Sequence, residues 1–344
     1  MKYLLLPFAL TYGLVATIRN KLFDWGILKS KSYSKPVITV GNLTVGGTGK
    51  TPHIEYLVRL LQPSHNVTVV SRGYGRKTHG YIEVQTESQA TNVGDEPLQI
   101  KHKFPKTRVV VDEKRTHAID KLLDSNDPPD VFLLDDAFQH RKVKAGLQIV
   151  LIDYNRPVFN DCMMPAGRLR EPKRNINRAD LIVVTKCPDT LSEKEKAAFI
   201  GKLKIKSQKP VFFTKIKYGN LTPIGNTINI DNLENTKVSV VTGIAQPQRI
   251  YQYLKDKKAV LETIEFPDHH FFTISDMATI RKKFRKSDSQ IIVTTEKDAM
   301  RLESFTKELT EIPIFYIPIE IVFTDGRQEE FNKIVSDFTE PKNN

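Results

Sequence analysis

The sequence predicts an α/β protein with a parallel-sheet lobe covered by helices on both faces, a second smaller α/β lobe, and an N-terminal membrane-associated helix. Three observations carry this. A short β-branched run at residues 37–40 stops in a glycine-rich loop that opens at Thr51 into a helical pattern reaching about Leu61. Several later strands are apolar on both faces and alternate with helical stretches, as in a parallel sheet buried on both sides. Residues 3–18 (YLLLPFALTYGLVATI) are apolar on every face.

Strand, glycine loop, Gly-Lys-Thr and helix together form a phosphate cradle, so the first lobe is of P-loop NTPase type. Glycines let backbone N–H groups face inward, and the positive end of a helix dipole stands behind them. Thr44, Gly46, Gly47, Thr48, Gly49, Lys50 and Thr51 are the expected nucleotide contacts. Lys50 would reach the β- and γ-phosphates, and the Thr51 hydroxyl would be a magnesium ligand. The G-x-x-x-x-G-K-[ST] pattern is not met literally, because its first glycine falls at Thr44.

Residues 66–71 read as the second strand, running into SRGYGR at 71–76, and residues 108–111 as the third. A helix is expected over 114–123, then an apolar strand at 131–134 that ends in Asp135 and Asp136. Residues 147–152 and 181–185 are further apolar strands, and 192–203 is an amphipathic helix. From 211 to 230 short alternating strands with Asn and Gly turns read as a connector between lobes. The second unit has strands at 238–241, 262–266 and 290–294 and helices at 247–256 and 275–285. A Pro-punctuated pair at 313–323 is suited to returning the chain to the first lobe. The expected divisions are 1–30 (N-terminal membrane-associated helix), 31–210 (P-loop lobe), 211–235 (connector), 236–312 (second lobe) and 313–344 (return segment and tail).

The 344 residues carry a net charge of +12, which favours a polyanionic partner. No arginine-rich arm, zinc-ligand framework or aromatic RNA-binding motif is present, so nucleic acid is not expected. Cys162 and Cys187 form no C-x-x-C, consistent with a reducing cytoplasmic face. The sixteen apolar residues at 3–18 fall short of the ~20 that span a bilayer, and no cleavage site follows them. Arg19, Lys21, Lys29, Lys31 and Lys35 come next, with Phe23 and Trp25 interleaved, as at a membrane–water interface. The expectation is a helix in the cytoplasmic leaflet; the alternative is a helix packed on the core.

An apolar strand ending in aspartate supplies the second half of a P-loop site. Neighbours in a strand point to opposite sides, so Asp135 and Asp136 both serve the site only if the chain turns at Asp136. The GDEP run at 94–97 reads as a tight acidic turn, and Asp95 taken alone is a turn residue. Asp268, His269 and His270 taken alone are a solvated loop.

The string GNLTVGGTGKTP, with SRGYGR, VGDEP, DDAFQHR, PAGRLREP, ADLIVVTK, TGIAQP, FPDHH and TTEKDAMRL in that order, resembles the tetraacyldisaccharide 4′-kinase family, the lipid A pathway kinases of Gram-negative bacteria. The resemblance runs from the N-terminal segment to about residue 302. It implies transfer of the γ-phosphoryl of ATP, with Mg2+, to the 4′-hydroxyl of an acylated glucosamine disaccharide 1-phosphate. The enzyme would act on the cytoplasmic face of the inner membrane without an obligate protein partner. It also implies that Asp95 and His269 form a catalytic pair with Lys50 beside them. Thr51, Asp135, Asp136 and Glu171 would then surround the metal, and Arg72, Tyr74, Gln139 and His140 the substrate. Two positions depart from the family pattern: Ala137 stands where glycine is usual, and Arg168 near a frequent proline. The rival class is a membrane-associated P-loop ATPase switch of the partitioning or division-site type. Its defining K-G-G-x-G-K lysine is Val45 here.

Overall fold

A computed structural model describes residues 2–206, 208–225 and 233–340. In chain order the elements begin with α1 (Leu6–Asp24), β1 (Val37–Asn42), α2 (Lys50–Leu61), β2 (Val67–Ser71), β3 (Ile82–Glu83), α3 (Ala90–Val93) and α4 (Asp95–Lys103). Next come β4 (Arg108–Val111), α5 (Arg115–Leu123), β5 (Val131–Asp135), β6 (Leu147–Asp153), β7 (Leu181–Thr185), α6 (Glu193–Leu203) and β8 (Val211–Tyr218). Then follow β9 (Thr222–Pro223), β10 (Lys237–Thr242), α7 (Gln248–Asp256), β11 (Val260–Glu265) and α8 (Ile274–Lys286). The last are β12 (Ile291–Thr295), α9 (Glu296–Leu302), β13 (Ile314–Ile317), β14 (Ile319–Phe323) and α10 (Gln328–Thr339).

The strands form two sheets, one ordered β14-β8-β7-β6-β1-β5-β2-β4-β3 and the other β11-β10-β12-β13-β9. In the larger sheet β1, β2, β5 and β7 are buried at every residue. Successive side chains point to opposite faces. Ile38, Val40, Val69 and Leu133 therefore pack with Ile54, Leu57 and Val58 of α2. Val37, Val70, Phe132 and Leu134 pack with Ala118, Ile119 and Leu122 of α5 on the other face. The smaller sheet is likewise sandwiched, by Met277 and Ile280 of α8 on one side and Ile250 and Leu254 of α7 on the other.

Three expectations change. The stretch read as a connector is divided between the sheets: β8 pairs parallel with β7, and β9 pairs with β13. Buried Val211, Phe212 and Phe213 make β8 a sheet strand; the rest of the expected alternation, 226–232, lies outside the described residues. The acidic run at 94–97 opens a helix instead of a turn, since α4 begins at Asp95. Two acids in its first turn favour the helix dipole, and Pro97 lies early enough to be tolerated. The TTEK run, for which no helix was expected, forms α9, capped by the Thr295 hydroxyl accepting from the Asp298 N–H at 3.1 Å.

The chain returns to the larger sheet where β14 pairs antiparallel with β8, just past Pro318, which cannot extend the ladder of β13. Helix α10 then packs Phe331 against Tyr56 and Phe212.

Helix α1 buries only Ala9, Asn20 and Phe23. Leu4, Phe8, Leu10, Leu14, Val15 and Ile18 are each half exposed or more. The helix thus rests on the protein through a few residues, chiefly Asn20 and Phe23 near its C-terminal end, and leaves most of its apolar side chains uncovered. Among the described residues no helix is long and apolar enough to cross a membrane.

Candidate active site

Strand β1 sits between β5 and β6, so its carboxyl end opens the crevice where an open parallel sheet offers a ligand site. Helix α2 starts at Lys50, and Gly49 before it holds φ at +87°, a left-handed conformation that glycine adopts without strain. A side chain added at Gly46 or Gly47 would meet nothing within 4 Å, so the loop encloses open space. The rest of the loop is pinned from behind. Asn42 Nδ2 donates to Thr48 Oγ1 at 2.9 Å and Thr185 Oγ1 to the Thr48 carbonyl at 2.8 Å. Lys186 Nζ donates to the Gly47 carbonyl and pairs with Asp153 at 3.1 Å. Val45 N–H donates to the Arg168 carbonyl at 2.8 Å, which fixes the loop beside the buried Thr44. The Thr48 hydroxyl is thus committed to shaping the loop. Buried His53 donates from Nδ1 to the Gly49 carbonyl at 2.7 Å; burial pushes its pKa down to about 4, so it stays neutral.

Across the loop, β5 delivers Asp135, opposite Val40 of β1. Burial and the neighbouring Asp136 push the Asp135 carboxyl up to about 6. Its Oδ2 accepts from Ser71 Oγ at 3.2 Å, and its buried Oδ1 has no partner. At Asp136 the chain turns, with φ at +47°. Ala137 has no positive φ, so the lost glycine costs this turn nothing. Asp136 Oδ1 lies 3.7 Å from Lys50 Nζ, and Arg170 Nη1 reaches both its oxygens at 2.9 and 3.1 Å. Burial opposes its charge, but Lys50 and Arg170 overcome that and lower its pKa. Glu171 Oε2 accepts from Arg178 at 2.6 Å and Asn175 at 2.7 Å, while its buried Oε1 is unpartnered. Arg168 Nε donates to Asp161 at 2.9 Å, which holds the stretch that pairs with Val45. No group of three or more His, Cys, Asp or Glu among the described residues closes on one point.

Asp95 lies buried at the first residue of α4, with Oδ2 at 3.4 Å from His269 Nδ1. The two come from different sheets' loops. They meet because α4 packs along α9. Gly94 before Asp95 lets the 73–74 backbone approach, since a Cβ on Gly94 would lie 3.1 Å from Gly73. His269 has φ at +58°, and its N–H donates to the Gly243 carbonyl at 3.1 Å. Helix α9 adds two cations that sequence reasoning missed. Arg301 Nε is 3.3 Å from Asp95 Oδ2, and Lys297 Nζ pairs with Glu96 at 2.7 Å. Their spacing of four residues was the available signal: it puts both on one helix face. Glu96 joins the two halves of the site, since its charge helps raise the pKa of Asp135 while it holds Lys297.

Tyr74 stands edge-on to His269 with centroids 5.2 Å apart. His140 Nε2 is buried without a partner, and burial, with Arg115, Lys142, Arg19 and Arg72 around it, lowers its pKa to about 4. Arg72 is exposed. Gln139 donates to the Asn42 carbonyl at 2.8 Å and so braces the loop, leaving its Oε1 unpartnered. Buried Arg115, also missed, donates to the Asp135 carbonyl at 3.4 Å. By contrast His270 bonds Asp276 at 2.9 Å and stacks on Phe266, a role within the second unit.

The family profile described as Tetraacyldisaccharide-1-P 4'-kinase matches residues 1–339. A Phocaeicola vulgatus protein named tetraacyldisaccharide 4'-kinase is 42% identical, over 97% of this chain and 94% of its own. One of the same name from Flavobacterium johnsoniae is 44% identical over 95% and 94%. The crystal structure of LpxK from Aquifex aeolicus in complex with ATP superposes with a TM-score of 0.77 at 30% identity, over 98% and 99% of the two chains. A match of this extent leaves the partitioning-switch alternative without support. The chain belongs to the tetraacyldisaccharide-1-P 4'-kinase family.

Proposed function

We propose that this chain moves the γ-phosphoryl of ATP to the 4′-hydroxyl of a tetraacylated glucosamine disaccharide 1-phosphate, at a membrane surface and with Mg2+. The relatives' name supports the acceptor, and the ATP complex of the Aquifex aeolicus protein supports the donor. The observation that carries the reading is the meeting of Asp95 and His269 at 3.4 Å, with the neighbouring Glu96 charge felt at Asp135.

Lys50 follows the transferring phosphoryl, and the loop N–H groups at 46–49 hold the phosphates. Asp95 takes the proton of the attacking hydroxyl, and His269 orients its carboxylate. Arg301 stands over the same carboxylate, so the charge Asp95 loses on protonation is one the site already balances. The donors fit magnesium, which takes one or two protein carboxylates and keeps waters and phosphates for the rest. Thr51, Asp136 and the unpartnered Asp135 Oδ1 would hold it, and the free Oε1 makes Glu171 the fourth candidate. When bound, the ion supplies neutralisation of charge on the β- and γ-phosphate oxygens. Arg72, Tyr74, Gln139 and His140 face the acceptor in this reading.

The exposed apolar side chains of α1 rest in the cytoplasmic leaflet of the inner membrane, where the acceptor's acyl chains remain. Incubation with Mg·ATP and detergent-dispersed acceptor, followed by mass spectrometry, tests the reaction. One added phosphate at the 4′ position is expected; ATP hydrolysis with an unchanged lipid would contradict it.

A further inference from the structure

Between the C-terminal half of α1 and the turn at 173–178 lies a cavity of ≈ 260 Å³ that the phosphoryl-transfer residues do not line. Lys21, Arg141, Arg174, Arg178 and Lys206 line it with a single carboxylate, Asp24. Arg141 engages Asp24 at 2.9 Å and Arg178 pairs behind the cavity with Glu171 at 2.6 Å, which leaves three cations unpaired. The ammonium groups of Lys21 and Lys206 have no partner among the described residues, and Arg174 has only a 3.4 Å contact with Thr17 Oγ1.

Two buried donors add a second argument. Asn20 is 5% exposed and its Nδ2 has no acceptor, and Arg178 Nε is buried and equally unpartnered. Buried N–H groups are almost always paired. Unsatisfied donors in a cationic cavity call for an anionic acceptor, and guanidinium forks match the oxygens of a phosphate.

The cavity's position says which phosphate. Leu10, Leu14 and Lys21 fall on one stripe of α1 by their helical spacing. Leu10 is 74% and Leu14 is 60% exposed. Lys21 follows Leu14 by two turns, about 10 Å along the axis. An interfacial helix lies in the plane of the headgroups, so a cavity two turns beyond its inserted leucines stays at headgroup level. A helix whose leucines enter the acyl region thus carries this cavity to the phosphate layer.

We propose that this cavity binds the phosphate of an anionic bilayer phospholipid and seats the enzyme on the membrane. The inference rests on the membrane reading of α1. It is tested by flotation of the full-length protein with vesicles of phosphatidylcholine alone or with added phosphatidylglycerol. The cavity variant is Arg174→Gln with Lys206→Gln, both exposed positions. Lys282→Gln with Lys286→Gln on α8 removes the same charge elsewhere, and Lys21→Gln is a second, single variant.

Each cation near an anionic surface changes the partition roughly fivefold, so the cavity variant should lose about 25-fold on phosphatidylglycerol vesicles and Lys21→Gln about fivefold. Binding to phosphatidylcholine, and turnover in neutral detergent, should be unchanged, and the α8 control should bind like wild type. Equal losses in cavity and control variants would overturn the proposal. So would a raised KM for the acceptor in neutral detergent, which would assign the cavity to the substrate's own phosphate. Inorganic phosphate that raises the Tm of wild type but not of the cavity variant, without any vesicle preference, would assign it to the free ion and overturn it as well. Binding to neither vesicle would refute the membrane reading itself, whereas equal binding to both would sink the cavity alone.

Discussion

Lys297 Nζ lies 3.2 Å from His269 Nε2 while it holds Glu96 at 2.7 Å. An ammonium can only donate, so Nε2 accepts and the neutral ring keeps its proton on Nδ1, facing Asp95. Lys297 is therefore a positioning residue for the pair. Lys297→Met should lower kcat by about a hundredfold, the low end of what a placed acid–base group contributes. The pH–rate profile should shift as well, and Lys297→Arg should restore part of the rate. A pH profile unchanged in Lys297→Met would remove it from the mechanism.

Lys50 touches the carboxylate set through Asp136 at 3.7 Å, and its charge follows the phosphoryl group in the proposed mechanism. Lys50→Ala should cut kcat by about 10²–10³-fold. Thr51→Ala should act through magnesium, and raising the ion's concentration should recover part of the loss. Steady-state rates across a magnesium titration check both. Near-normal turnover in Lys50→Ala is the outcome that would refute the cradle's role.

Leu10, Leu14 and Ile18 are 74%, 60% and 50% exposed, so they contribute little to the fold. Replacing all three with serine should leave the Tm nearly unchanged. Vesicle association should fall more than about a hundredfold, because each apolar side chain withdrawn from lipid forfeits roughly 1.5 kcal/mol or more. A large drop in Tm with retained vesicle binding would show that the helix packs on protein.

Lys103 bridges two buried carboxylates across the sheets, Glu55 of α2 at 2.7 Å and Glu296 of α9 at 3.0 Å. Burial and the Glu296 charge raise the Glu55 pKa, and Lys103 only partly offsets them. A carboxyl raised on folding favours the protonated form. Its contribution is therefore full below the ordinary glutamate range and is lost as pH rises through the raised value. Each unit of that rise is worth ~1.4 kcal/mol. Glu55→Gln should reduce the loss of stability between pH 5.5 and 8, read from urea midpoints. An unaltered pH dependence would contradict the assignment.

The nucleotide half of the site was legible because it is local. Strand, loop and helix from 37 to 61 follow one another, and two carboxylates at a strand end require the left-handed turn that Asp136 makes. The acceptor half was legible only by resemblance. Glu96 and Lys297 meet across 201 residues, and no periodicity records that α4 lies along α9. Pattern also misread the GDEP run, where acids that suit a turn equally suit the start of a helix. Strand β8 was taken for a linker because its outer half is polar; its pairing with β7 depends on a sheet edge far away in sequence.

The central claim is that Asp95 and His269, delivered by separate sheets, act as one catalytic unit. Kinetics of Asp95→Ala, His269→Ala and the double variant test it most directly, with His270→Ala as the neighbouring control. Each single variant should lose about 10²–10⁴-fold in kcat with smaller effects on KM, while His270→Ala loses far less. Residues that act as a unit are non-additive. The double variant should therefore be little worse than the poorer single; a loss equal to the product of the two would contradict the pair.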